Sequence, residues 1–190
     1  MEVRVRIAII FLITLSLLLI TDSGCRIHNA DSTVPVTTFY AAKQRNEYAI
    51  KLVNEERYDE AIIEFTQAID ICPEYVELYY NRGTAYCWIE EYEKAIEDYG
   101  IATNLNESYH EAYNGRGYAY SCLNEYEKAI DDYTKAISIQ PTNAEYYYNR
   151  GYAYKAIGND PEATADLHKC IELTDDPSLI QKAREVLWEF

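Results

Sequence analysis

The sequence predicts an all-α solenoid of four tandem helix–turn–helix units closed by one further helix. Three observations predict it. A small residue returns every 34 positions, at Ala49, Gly83, Gly117 and Gly151. Around three of them one phrase recurs: Tyr79-Tyr80-Asn81-Arg82-Gly83, Tyr113-Asn114-Gly115-Arg116-Gly117 and Tyr147-Tyr148-Asn149-Arg150-Gly151. Ala61, Ala95, Ala129 and Ala163 then follow twelve residues behind each small residue. A fixed period of this length is one supersecondary unit stacked on itself, and such arrays hold other molecules.

The third unit shows how each is built. Tyr113, Gly117 and Tyr120 fall at i, i+4 and i+7 and share one helix face. A second periodic stretch begins after Asn124, with Tyr126, Ala129, Ile130, Tyr133, Ala136 and Ile137 at intervals of three and four. Pro141 ends it, because proline cannot continue a helix. In the fourth unit Gly158 reads as a residue just past a helix end, and Asp160-Pro161 as an N-cap followed by proline at the first helical position.

These residues resemble the tetratricopeptide repeat family. The motif stands as Tyr79/Gly83/Tyr86/Ala95/Tyr99/Ala102 in the second unit and as Tyr113/Gly117/Tyr120/Ala129/Tyr133/Ala136/Pro141 in the third. Tyr147/Gly151/Tyr154/Ala163/Leu167/Cys170 continues it, with cysteine in place of alanine. The first unit begins with Arg45, Ala49 and Leu52 and regains the motif at Ala61, Phe65, Ala68 and Pro73. The resemblance spans residues 42–177, with units at 42–75, 76–109, 110–143 and 144–177, and implies a right-handed superhelix. Residues 178–190, with Leu179, Ala183, Val186 and Leu187 on one face, are expected to form the helix that caps the last unit.

Residues 1–24 read as a signal peptide. Arg4 and Arg6 precede an uncharged apolar run, Ile7–Ile20, of 14 residues, short for a spanning helix, which needs ~20. Cys25 after Ser23-Gly24 resembles the end of a bacterial lipoprotein signal, and that resemblance implies acylation of Cys25. Ordinary cleavage and an uncleaved anchor stay open, since Asp22 departs from the pattern. Residues 25–41 read as a flexible tether, rich in Asn, Asp, Ser and Thr. Localisation in a cell envelope, tethered to a membrane, is the expectation.

The formal net charge of −15 opposes binding to nucleic acid or anionic lipid and would steer basic partners in. The sequence contains no nucleophile elbow, phosphate-cradling loop or HExxH motif. His28, His110 and His168 have no triad or ligand spacing, and the cysteines no zinc spacing. We therefore expect no enzyme, no metal and no cofactor. Cys87 and Cys122 fall late on adjacent first helices; an oxidising compartment would permit a bond between them, whose geometry is demanding, and the question stays open. Glu90-Glu91, Asp131-Asp132 and Asp175-Asp176 read as solvated pairs. Arg82, Arg116 and Arg150 each precede an aspartate by sixteen residues, at Asp98, Asp132 and Asp166. The first unit has Tyr48 and Glu64 instead, so exposed salt bridges between the helices of a unit are expected.

Eleven of the 20 tyrosines recur at fixed places and are expected in the core: Tyr58, Tyr79, Tyr86, Tyr92, Tyr99, Tyr113, Tyr120, Tyr126, Tyr133, Tyr147 and Tyr154. The resemblance implies that first helices line a concave groove that takes a peptide or protein segment. Carried onto this sequence, its lining is Tyr80, Asn81, Trp88, Asn114, Tyr118, Tyr148, Asn149, Tyr152 and Lys155, beside Thr84, Cys87, Ser121 and Cys122. Asn46, Glu47, Ile50 and Asn54 would serve from the first unit. Rings bury apolar area with few rotors to freeze, and asparagine pairs with a peptide's N–H and C=O. Relatives that grip a C-terminal carboxylate use several basic groove residues; here only Lys43 and Lys155 are candidates, which speaks against that activity. Self-association through Trp188 and Phe190, forming a homodimer, is the alternative.

Overall fold

The structure is a computed structural model that describes residues 36–188; the expected signal peptide, Cys25, most of the expected tether and Phe190 lie outside the described residues. Nine helices run through the described part: α1 (Val36–Asn54), α2 (Tyr58–Ile71), α3 (Val76–Trp88), α4 (Tyr92–Leu105), α5 (His110–Cys122), α6 (Tyr126–Ile139), α7 (Ala144–Ala156), α8 (Asp160–Leu173) and α9 (Pro177–Leu187). Each helix packs on its chain neighbours, and alternate helices touch along one side. The expected helix–turn–helix units are all present. The tether was expected to reach residue 41, but α1 already begins at Val36. Phe39 explains this: its ring lies 5.3 Å from Tyr75, and that contact makes an extra turn of helix worth forming.

Every unit turns its corner in the same way. The N–H groups of Arg57, Glu91, Glu125 and Asn159 donate to the carbonyls of Leu52, Tyr86, Tyr120 and Tyr154, each at 2.9 Å. This closes the helix end with the bond that requires a left-handed residue before it. Glu56, Glu90, Asn124 and Gly158 supply that residue, with φ of 59°, 62°, 61° and 75°. Only Gly158 adopts it without steric cost; the side-chain-bearing residues lose ~1–2 kcal/mol each in this conformation. The next helix starts one residue earlier than Asp160-Pro161 suggested, with Asn159 as its N-cap.

The core is a ladder of side chains from the second (B) helix of each unit, α2, α4, α6 and α8, set against small residues of the first (A) helices, α1, α3, α5 and α7. Phe65, Tyr99, Tyr133 and Leu167 occupy one repeated position and are almost wholly buried. A Cβ at Gly117 would lie 2.8 Å from the Tyr133 ring, and one at Gly115 only 2.7 Å from Tyr99. Glycine is therefore what admits these rings. Of the eleven tyrosines expected in the core, only Tyr79, Tyr99 and Tyr133 are buried. The others are half-buried, because a ring can cover apolar surface while its hydroxyl stays wet. Tyr75 and Tyr146 are buried instead, the latter with its hydroxyl 2.7 Å from His110 Nδ1.

The expected ion pairs form, but they are not exposed. Arg82, Arg116 and Arg150 each make two bonds of 2.7–2.8 Å to Asp98, Asp132 and Asp166. The three aspartates are buried, so Asp132 is not the solvated flank residue its neighbour Asp131 suggested. A third guanidinium nitrogen reaches back to Thr66, Thr103 or Thr134 of the preceding unit at 3.0–3.3 Å, so each pair also spans a unit boundary. Donating to the Asp132 and Asp166 carboxylates pushes the Arg116 and Arg150 pKa values up. The first unit keeps an ion pair after all: Glu64 accepts from Arg45 at 2.6 Å, one helical turn before the position where Tyr48 stands.

Candidate functional site: the concave groove

The helices α3, α5 and α7 lie side by side and expose one face each to a shared hollow of about 550 Å³. Tyr80, Trp88, Asn114, Tyr118, Tyr148 and Asn149, expected there, all line it. Tyr152 lines an adjoining hollow of about 340 Å³ that shares Tyr118, Tyr148 and Asn149 and adds Ser121 and Cys122. The walls are aromatic and partly uncovered. Trp88 is 62% exposed, Tyr118 50% and Tyr152 49%. Trp88 is braced by Tyr58, whose ring stacks on it at 5.9 Å and 9°.

Below these walls the floor is fixed by hydroxyls. Tyr99 rises between α3 and α5, with its hydroxyl 3.1 Å from Thr84 Oγ1 and 3.8 Å from Cys87 Sγ. Tyr133 meets Ser121 in the same way at 3.3 Å. Burial pushes the pKa of both phenols up, which keeps them protonated as bonding groups. Tyr80 is raised too, first by burial and then by the Glu111 carboxylate.

Two expected residues are otherwise engaged. Asn81 lines neither hollow; its Nδ2 donates to Asn46 Oδ1 across the α1–α3 seam at 3.0 Å. Lys155 donates to the Val186 carbonyl at 3.0 Å. The last carbonyls of α9 lack helical partners, and the ammonium at the end of α7 is placed to meet one. Asn149 similarly donates to Asn114 at 2.9 Å, but both face the hollow, and Asn114 Nδ2 and Asn149 Oδ1 keep bonding capacity of their own. Lys43 lines neither hollow.

The main omission lies in the closing segment. Asp176, Ser178, Leu179 and Lys182 complete the larger hollow together with Glu145. Lys182 stands 34 residues after Tyr148, so α9 acts as a fifth A helix as well as a cap. Carrying the period one step further would have found it. The charged groups lining the hollow are therefore Glu145, Asp176 and Lys182. Among the described residues no group of three or more His, Cys, Asp or Glu could hold a metal ion.

Comparison with known proteins agrees with this architecture. Models of the TPR repeat match residues 51–87 and 123–158, and a tetratricopeptide repeat model matches residues 144–177. The first TPR of Spaghetti (RPAP3), solved bound to the HSP90 peptide SRMEEVD, is 31% identical; the match covers 63% of this chain and 94% of that one, with a TM-score of 0.62. The chain belongs to the tetratricopeptide repeat family. The first TPR domain of human RPAP3 is 30% identical, with 65% and 97% of the two chains covered and a TM-score of 0.62. The MamA protein is 28% identical over 72% and 75%, at a TM-score of 0.66. No curated protein sequence matches. The groove of this TPR array thus lies on the side of the fold formed by the A helices, with α9 closing it.

Proposed function

We propose that this TPR array is a non-catalytic adaptor that holds an extended, basic peptide segment of a partner protein in its concave groove. One observation carries the reading: six of the nine expected residues converge on one hollow, whose lining carboxylates, Glu145 and Asp176, outnumber Lys182. The relative's peptide, SRMEEVD, carries three acidic residues and suits a basic groove. Here the balance is reversed, and the net charge of −15 would draw a cationic segment in at a rate that salt reduces. A helices spaced ~8–10 Å apart match about one turn of a polyproline II chain, three residues at ~3.1 Å each, which brings Lys or Arg at every third position onto the same face.

Fluorescence anisotropy tests this with a labelled peptide bearing Lys at every third residue and its Glu-substituted counterpart. The lysine peptide should bind, more weakly as salt rises. Tyr118→Ala/Tyr152→Ala should lose at least fivefold, the loss expected of an aromatic anchor worth ~1 kcal/mol or more. Equal or tighter binding of the glutamate peptide would sink the proposal.

Export and tethering to a membrane through residues 1–25 complete the reading, supported by the Arg4/Arg6 flank, the apolar run and Cys25. Fractionation of cells carrying wild type and Cys25→Ala would test it; a protein found in the cytosolic fraction in both cases contradicts it. A second reading, self-association at the C-terminal end, is favoured by Trp188, 86% exposed beside a hollow of about 660 Å³ lined by Ile171 and Leu187. Sedimentation that shows only monomer at high concentration would remove it.

A further inference from the structure

The asparagine contacts reveal a rule of this array that has a second, chemically different use. Neighbouring A helices bring a residue against the one 35 positions later. Asn46 meets Asn81 at 3.0 Å, and Asn114 meets Asn149 at 2.9 Å. Seven residues further along is two helical turns, hence the same face of the same helices. The pairs there are Val53 with Trp88, Cys87 with Cys122, and Ser121 with Ala156. Only the α3–α5 seam carries a thiol on both sides.

The surroundings suit a reaction between them. Cα atoms of α3 and α5 come within 8 Å of one another, and a cystine spans about 4.4–6.8 Å between Cα atoms. Cys87 lines the larger hollow and Cys122 the smaller, so a small oxidant can enter from the groove. Both thiols are half-buried and free, whereas Cys72 and Cys170 are buried in the core. At the other end of the seam, Gly83 and Gly115 make room for the Tyr99 ring between the two helices.

We propose that Cys87 and Cys122 form an oxidisable dithiol that closes to a cystine bridging α3 and α5 across the groove floor. The bond does not depend on which ligand the groove takes. With glutathione disulfide as oxidant, the Cys122 thiolate attacks one sulfur and expels a glutathione thiolate, leaving a mixed disulfide. The Cys87 thiolate then attacks Cys122 Sγ, forming the Sγ–Sγ bond and expelling the second glutathione thiolate. The two protons lost by the cysteines end on the two glutathiones, and two electrons pass to the oxidant. Burial pushes the Cys87 pKa up to about 11. Closure through the Cys87 thiolate therefore becomes faster as pH rises.

The test treats the full chain with glutathione disulfide in mildly alkaline buffer, traps free thiols with iodoacetamide and maps tryptic peptides of the monomer without reduction. The expected product joins Gly83–Lys94 to Gly117–Lys128 with the loss of two hydrogens, and dithiothreitol reverses it. Cys87→Ser should stop at a glutathione adduct on Cys122, and Cys72 and Cys170 should stay unbridged in both proteins. Absence of the joined peptide overturns the proposal, whether the two cysteines are then found free or each carrying glutathione. A bridge from Cys122 to any cysteine other than Cys87 overturns it as well.

Discussion

The two halves of the array share a backbone pattern and differ in how their interiors connect. From α1 to α5 one continuous core runs from Ala42 to Ala119, built on Leu52, Phe65, Leu78 and Tyr99. Beyond α5 the interior breaks into three smaller groups, around Tyr133, around Ile137 and Tyr146, and around Leu167 and Cys170 under α9. Tyr146 brings a hydroxyl with it that must be met, by His110, where the first half has Leu78. A period therefore copies helix spacing without copying continuity of packing. In a solenoid that continuity sets how far a local loss spreads.

The comparison breaks most readily at the repeated B-helix position. Phe65→Ala should cost about 3–5 kcal/mol and Leu167→Ala about 2–5 kcal/mol. The distribution of the loss matters more than its size. Phe65→Ala should speed hydrogen exchange throughout α1 to α5, and Leu167→Ala mainly in α7 to α9. If Leu167→Ala accelerates exchange in α2 and α4 as much as in α8, the halves are not separate.

The ion pairs sharpen the contrast within the first half. Asp98→Ala removes a buried partner of a two-bonded guanidinium and should cost about 1.5–3 kcal/mol. Glu64→Ala removes the more exposed substitute pair with Arg45 and should cost only about 0–1 kcal/mol. Urea midpoints of the two variants would compare them, and equal shifts would contradict the burial difference. A last pair of variants, opposite in sign, lies near the join of the halves. Gly115→Ala drives a Cβ to 2.7 Å from Tyr99 and should lose about 1–3 kcal/mol by overpacking. Gly100→Ala meets nothing nearer than Arg116 at 3.6 Å and should gain about 0.5–1 kcal/mol from the better helix former. Thermal melts should move in opposite directions.

Much of this was legible because repetition averages out local ambiguity. Three copies of the Tyr/Gly/Tyr face established helices, corners and groove side together, and Tyr80, Trp88, Tyr118 and Tyr148 fell where expected. What escaped had no second copy to point to it. Arg45 pairs with Glu64 from a different turn of its helix, and Lys182 lies past the last recognisable motif. Phe39 extends α1 through a contact with Tyr75, which no local pattern announces. Burial escaped where a partner distant in sequence decides it: Asp132 takes both bonds of Arg116, and Tyr146 packs on Ala136 and Ile137 of the preceding unit with its hydroxyl on His110. Asn81 and Lys155 were placed on the right helices, but their partners are 35 and 31 residues away.

The four left-handed corners at Glu56, Glu90, Asn124 and Gly158 share one shape although three different residue types occupy them. Their geometry is thus imposed by the helices they join, and all four are exposed. They mark the same point of successive units along one edge of the protein, like graduations on a ruler. Spectroscopic probes attached in pairs at these points would report directly whether the coil tightens or opens when something occupies its inner surface.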